Sequence, residues 1–225
     1  MAAGSLTVKR VIGGSVRGAS SPAGLFMGLR LEVGIFAAVI ALLNFHLIPG
    51  LRGRFNELWT FLPGRVLEGE WWRIVAHAFV HVSWYHLLLD AGAFFFLYAG
   101  LSSRRTRDRL AAVLFAGAGS LLASIAAAPE VATIGLCGLS GTAHGLMAAC
   151  GIDLARSSPR GSRGRLLGCA YLLAVAAKSL FEILHGRCLF EPLAFGQLGS
   201  PIVACHAGGV LGVLAMESWR WGRVR

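Results

Sequence analysis

Apolar residues along this chain gather into six blocks, each about as long as a helix needs to cross a bilayer core, with short polar stretches rich in Arg, Gly and Pro between them. The first runs from Leu31 to Ile48 and is ended by Pro49-Gly50. Ser83 to Leu101, Asp108 or Leu110 to Ala128, Ser140 to near Leu154, Leu166 to Leu184 and Ile202 to Ser218 follow. The mixed stretch between the first two blocks carries Pro63, Gly64, Glu68, Glu70 and the pair Trp71-Trp72, which suits the interfacial belt of a membrane. The pattern predicts an all-α, polytopic membrane protein with six transmembrane helices over 31–219, an N-terminal tail over 1–30 and a short basic tail over 220–225. The N-terminal tail is rich in Gly and Ser and is expected to be poorly ordered. Lys9 and Arg10 are not followed by an apolar core and small-residue cleavage site before residue 30, so no removable signal peptide is expected.

Composition excludes an ordinary soluble domain: 56% of residues are hydrophobic, 14% are charged, and the mean hydropathy is +0.66. The 30 glycines instead suit helices whose backbones touch in lipid. A net charge of +10 would fit nucleic acid, but the basic residues fall in clusters between apolar blocks, so the expected partner is the lipid bilayer and not nucleic acid. Lys9, Arg10 and Arg17, the run Arg104, Arg105, Arg107 and Arg109, the run Arg156, Arg160, Arg163 and Arg165, and the tail Arg220, Arg223 and Arg225 all alternate onto one face. Arg52, Arg54, Arg65, Arg73 and Arg187 lie on the other, in longer loops. The positive-inside rule then places both termini in the cytoplasm. Five cysteines show no Cys-x-x-Cys spacing and hence no zinc or disulfide framework; Cys137 and Cys188 both fall on the outer side, where a bridge is conceivable but nothing in the sequence supports it.

Candidate chemistry centres on Gly138-Leu139-Ser140-Gly141-Thr142-Ala143-His144-Gly145, where a serine stands at the entry of the fourth span, just ahead of a helical run from Thr142. A serine there is ordinarily a helix N-cap. His206, in Cys205-His206-Ala207-Gly208-Gly209, opens the sixth span from the same side, and a histidine inside a membrane helix suggests function. Gly141 with Gly145, and Gly208 with Gly212, offer small faces on which spans four and six can pack. The pair reads either as a serine nucleophile with a histidine base or as two independent caps in a Gly-rich bundle. In the second span His86 and Asp90 share a helix face, suited to an oxyanion contact; with His77 and His81 they would otherwise form a metal-ligand set, although no His-Glu-x-x-His motif supports it. Lys178 and Glu182, four apart in the fifth span, read as an internal ion pair or as the lining of a wet entrance. His144, one turn past Ser140, is either a core histidine or a partner that orients His206.

Taken in order, Glu70-Trp71-Trp72-Arg73, His77, His81, His86 with the position of Asp90, Gly138-Leu139-Ser140-Gly141 and His206-Ala207-Gly208-Gly209 resemble the successive signatures of rhomboid intramembrane serine proteases. The resemblance covers Leu31 to Ser218 and implies a six-helix fold with Ser140 as nucleophile and His206 as base. It further implies His86 and the Ser140 backbone N–H in the oxyanion hole, and Trp72-Arg73 in a membrane-embedded first loop. No cofactor and no metal are implied, and the substrate is a membrane-anchored protein. The family has no carboxylate orienting its base, and the sequence shows no obvious one near His206. Rhomboids commonly carry Asn at the position of Asp90; an ionised carboxylate would repel an oxyanion, so Asp90 is expected to be neutral or to point elsewhere. Gly-x-Ser-Gly-x-x-His-Gly, the compact size and Ala-Lys-Ser-Leu-Phe-Glu around Lys178 and Glu182 are similar to the rhombosortase branch, whose bacterial members remove C-terminal sorting tails with a Gly-Gly motif, a helix and a basic cluster. That implies an inner-membrane protein whose active site opens to the periplasm. The alternatives are a rhomboid-like protein that binds membrane helices without cutting them, and a membrane metal binder or transporter.

Overall fold

The computed structural model describes residues 22–48, 55–103, 105–191 and 194–222. Of the expected features, Lys9, Arg10, Arg17, the Pro49-Gly50 break, Arg52, Arg54, Arg104, Arg223 and Arg225 lie outside these residues. Six long helices organise the described chain: α1 (Pro22–Leu43), α2 (Trp84–Gly100), α3 (Thr106–Ala127), α4 (Ser140–Ser157), α5 (Arg163–His185) and α6 (Ala204–Gly222). Each overlaps one apolar block. The first differs most, starting at Pro22 and not Leu31. Proline is pre-set for a first helical turn, and the charges that seemed to end the block are accommodated: Arg30 is exposed, while Glu32 is buried against Arg109 of α3.

Helix ends follow local chemistry. Ser83 caps α2 by accepting the N–H of His86 at 3.0 Å, and Ser162 caps α5 by accepting that of Arg165 at 3.3 Å. Between α1 and α2 the chain forms short helices, and the segment Arg73–Phe79 meets α2 at a bend of 97°. Arg73 is buried there and ties the loop together, donating to Glu70 at 2.5 Å, to the Thr60 carbonyl at 2.7 Å and to the Glu57 carbonyl. Phe61 and Leu136 exchange two backbone hydrogen bonds of 2.9 Å, which join this loop to the segment leading into α4.

The helices α3 and α5 are long and apolar enough by themselves to cross a membrane, with mean hydropathies of 2.0 and 1.7; a third crossing results if Arg73–Phe79 and α2 count as one bent span. The helices α4 and α6 are less apolar, and their position explains it. The former packs against α2, α3, α5 and α6, and α6 packs against α3, α4 and α5, so their small and polar residues face protein. A Cβ on Gly209 would overlap the Gly141 carbonyl, so α4 and α6 touch backbone to backbone at a level that no larger residue permits. Phe94, Tyr98, Leu139, Leu146, Val213 and Met216 fill the core between them, whereas Leu88, Phe96, Leu114, Leu173 and Leu211 point outward from the bundle. Exposed leucines on helices of this length suit a hydrocarbon surrounding.

Alternation of direction decides what meets what. His86, Ser140 and His206, from the first turns of α2, α4 and α6, come together with Ile134 and Cys188, which follow α3 and α5 in the chain. At the opposite end Arg109 grips both carboxylate oxygens of Glu32, at 2.6 and 2.8 Å, and Tyr98 donates to the same group.

Candidate active site

Gly138 sets the geometry of the serine. Its φ of +103° is closed to most side chains, and a Cβ there would stand 2.8 Å from Asp90 Oδ2 and 2.9 Å from His86 Nε2. The chain can therefore run directly over the first turn of α2 before it turns into α4. Helix α4 then begins at Ser140, two residues before the expected start at Thr142, with Leu139 in the cap position and no side-chain capping bond. The capping role ordinarily expected of such a serine is thus not the one Ser140 has. Its Oγ meets Cys205 Sγ of α6 at 3.5 Å, and that thiol also faces the His206 ring.

His206 occupies the first turn of α6 and is buried. Its ring stacks on that of His144, with centroids 4.0 Å apart and planes inclined by 13°. His206 Nδ1 lies 2.7 Å from Glu182 Oε2. The sequence shows no obvious carboxylate near this histidine, yet Glu182, fully buried on the last turns of α5, reaches it across the helix interface. Lys178 lies one turn earlier, donating to Glu182 Oε1 at 2.5 Å and to His144 Nε2 at 2.8 Å. The ion pair expected from their spacing is present, and it is wired to both histidines. His144 Nδ1 in turn donates to the Ser140 carbonyl at 2.7 Å.

Ser140, His206, His144, His86 and Asp90 all line one cavity of about 330 Å³, roofed by the loop Leu198–Ile202. Every predicted site residue therefore converges on it. On its α2 side Asp90 Oδ2 stands 3.2 Å from His86 Nε2 and 3.5 Å from His81 Nε2. Asp90 thus faces two imidazoles while lining the cavity itself. His81 is held from behind by Asn44, whose Oδ1 accepts the His81 backbone N–H at 2.8 Å. His77 does not join the group: its Nδ1 bonds the Arg73 carbonyl at 3.0 Å and its ring lies against Phe61. The set His77, His81, His86 and Asp90 accordingly does not converge on a common point. Among the described residues, His144, Glu182 and His206 are the group whose ligand atoms come within 4.8 Å of one another, but the Lys178 ammonium already sits between two of them and supplies the positive charge.

Cys137 and Cys188 are both free and both line the cavity. Burial pushes each thiol up to about 12, so both remain protonated near neutrality.

An all-helical membrane bundle with a serine, histidines and a carboxylate around one internal cavity defines the class. The rhomboid domain family matches residues 68–218, more than half of the chain, and the chain belongs to that family, whose members are in general intramembrane serine proteases. The match opens just before Glu70 and closes on α6 beyond His206. Comparison with curated proteins and with solved structures returns no match.

Proposed function

We propose that this rhomboid is an active intramembrane serine endopeptidase that uses Ser140 and His206 as a dyad. The observation that carries the reading is the placement of Ser140 Oγ, free of any capping duty, on a cavity it shares with His206. In the reaction Ser140 Oγ attacks the scissile carbonyl carbon as its proton passes to His206 Nε2. The tetrahedral oxyanion forms beside the Ser140 backbone N–H and His86, groups at the free end of two helices. Collapse breaks the C–N bond as His206 returns the proton to the leaving amine, and water then releases the acyl group by the same steps in reverse. Ser140 Oγ meets Cys205 Sγ at 3.5 Å, a weak contact that a serine approaching a substrate carbonyl exchanges for His206.

The remaining parts of the reading follow from the same layout. The six long helices cross the bilayer, Arg-rich turns hold both termini on the cytoplasmic side of the inner membrane, and the cavity opens toward the periplasm. The membrane domain spans 31–219, extended at its start by the earlier turns of α1, between an N-terminal tail and the basic end 220–225. Substrates are membrane-anchored proteins cut within or beside a transmembrane segment. Lys178, Glu182 and His144 around the base support rhombosortase-like specificity for a Gly-Gly, helix and basic C-terminal tail. The resting Ser140–Cys205 contact is what a non-cutting membrane-helix binder would also display.

The test is co-expression in membranes with a substrate carrying such a tail. Wild type should cleave it and bind a fluorophosphonate at Ser140, while Ser140→Ala and His206→Ala should do neither. Cleavage of an ordinary transmembrane substrate alone removes the branch assignment; absence of both cleavage and labelling leaves the binder.

A further inference from the structure

We propose that Glu182 is a positioning residue for His206, so that the site works as a Ser140–His206–Glu182 triad held by Lys178; this rests on the dyad reading above. An ionised carboxylate only accepts hydrogen bonds, so at 2.7 Å from Glu182 Oε2 it is His206 Nδ1 that carries the proton. Nε2 is then the nitrogen with a free lone pair, the tautomer a base must have to take the Ser140 proton. Glu182 itself is not free to swing. Its other oxygen, Oε1, accepts from Lys178 Nζ at 2.5 Å and from the Leu189 backbone N–H at 3.0 Å.

The donor and acceptor directions form one consistent chain. The Ser140 carbonyl can only accept, so His144 Nδ1 is protonated and His144 Nε2 accepts from Lys178. Lys178 therefore fixes two things at once: the tautomer of His144, whose ring forms the floor under His206, and the carboxylate that fixes the tautomer of His206. The network begins on the backbone of the nucleophile and ends on the base, and every link in it has a donor and an acceptor. When His206 takes the serine proton it becomes a cation, and the buried Glu182 carboxylate stabilises that charge most in the transition state.

The experiment measures kcat, KM and thermal unfolding of the full chain in detergent for wild type, Glu182→Gln, Glu182→Asp and the double variant Lys178→Met with Glu182→Gln, with Ser140→Ala as the blank. We expect Glu182→Gln to lower kcat by on the order of 10²- to 10⁴-fold with KM within about threefold of wild type. Glu182→Asp, which keeps the charge, should regain at least about tenfold of that loss. The double variant leaves no unpaired buried charge and should unfold close to wild type yet remain as slow as Glu182→Gln, even where Glu182→Gln alone folds poorly. Recovery of kcat in the double variant, or a Glu182→Gln enzyme within about threefold of wild type, overturns the proposal and leaves the dyad standing. A wild type no faster than Ser140→Ala overturns both.

Discussion

Among the described residues three glutamates are buried, Glu32, Glu182 and Glu217, and the first two, at opposite ends of the bundle, are satisfied differently. Glu32 is closed off: Arg109 occupies both oxygens in a fork and Tyr98 adds a third donor. Glu182 is also held from two sides, by Lys178 and the Leu189 N–H, but its remaining oxygen is given to a histidine that borders a cavity. His86 and Tyr98, on the same helix, mark these two ends about 18 Å apart at ~1.5 Å of rise per residue. Identical chemistry thus becomes a closed clasp where an arginine saturates it, and a link to a cavity-lining histidine where an imidazole shares it.

The comparison breaks most sharply in function. His206→Ala and Ser140→Ala should each lower substrate cleavage by more than about a thousandfold; Ser140→Ala should leave the unfolding temperature within about 2 °C, whereas His206→Ala also removes a buried ring stacked on His144 and strands a Glu182 oxygen, and should unfold earlier. At the other end the sign pattern reverses. Glu32→Gln strands the Arg109 cation in the interior and should cost about 3–5 kcal/mol of stability, read by unfolding in detergent, with kcat of the folded fraction unchanged. Removing both charges, in Glu32→Gln with Arg109→Met, should restore most of that loss. A double variant as unstable as the single one would show that the clasp contributes more than neutralisation.

The serine, its histidine and the α2 pair were legible because each belongs to a short motif at the mouth of an apolar block. Glu182 was legible only as a charge in a span, four residues from Lys178. Its contact with His206 depends on how α5 leans against α6, and no spacing along one helix encodes a distance between two. The same reason hid Glu32: in the sequence it is a charge near the start of an apolar block, and its partner Arg109 is brought to it by the packing of α3 on α1. The lower hydropathy of α4 and α6 has the same root, since both are enclosed by other helices and their small and polar residues face protein.

Intermediate in size is the change that tests the nucleophile's turn. Gly138→Ala adds a methyl group at a φ of +103°, within 3 Å of both His86 Nε2 and Asp90 Oδ2. It should cost about 1–3 kcal/mol in stability and displace His86 from the cavity. Activity should fall further than the stability loss accounts for, which single-turnover labelling of the folded enzyme would show.

Smallest is Tyr98→Phe. The ring is fully buried, stacked on Phe94 and set edge-on to Phe36, so its packing survives the change and only the hydroxyl is lost. Glu32 keeps both arginine bonds, so no charge is stranded, and the cost should be about 1–2 kcal/mol. The enzyme's kcat and KM should not move, because nothing at the far end of α2 depends on that proton. If Tyr98→Phe slowed cleavage without lowering the unfolding temperature, the two ends of the bundle would be coupled through α2. The clasp would then have to be counted as part of the catalytic apparatus.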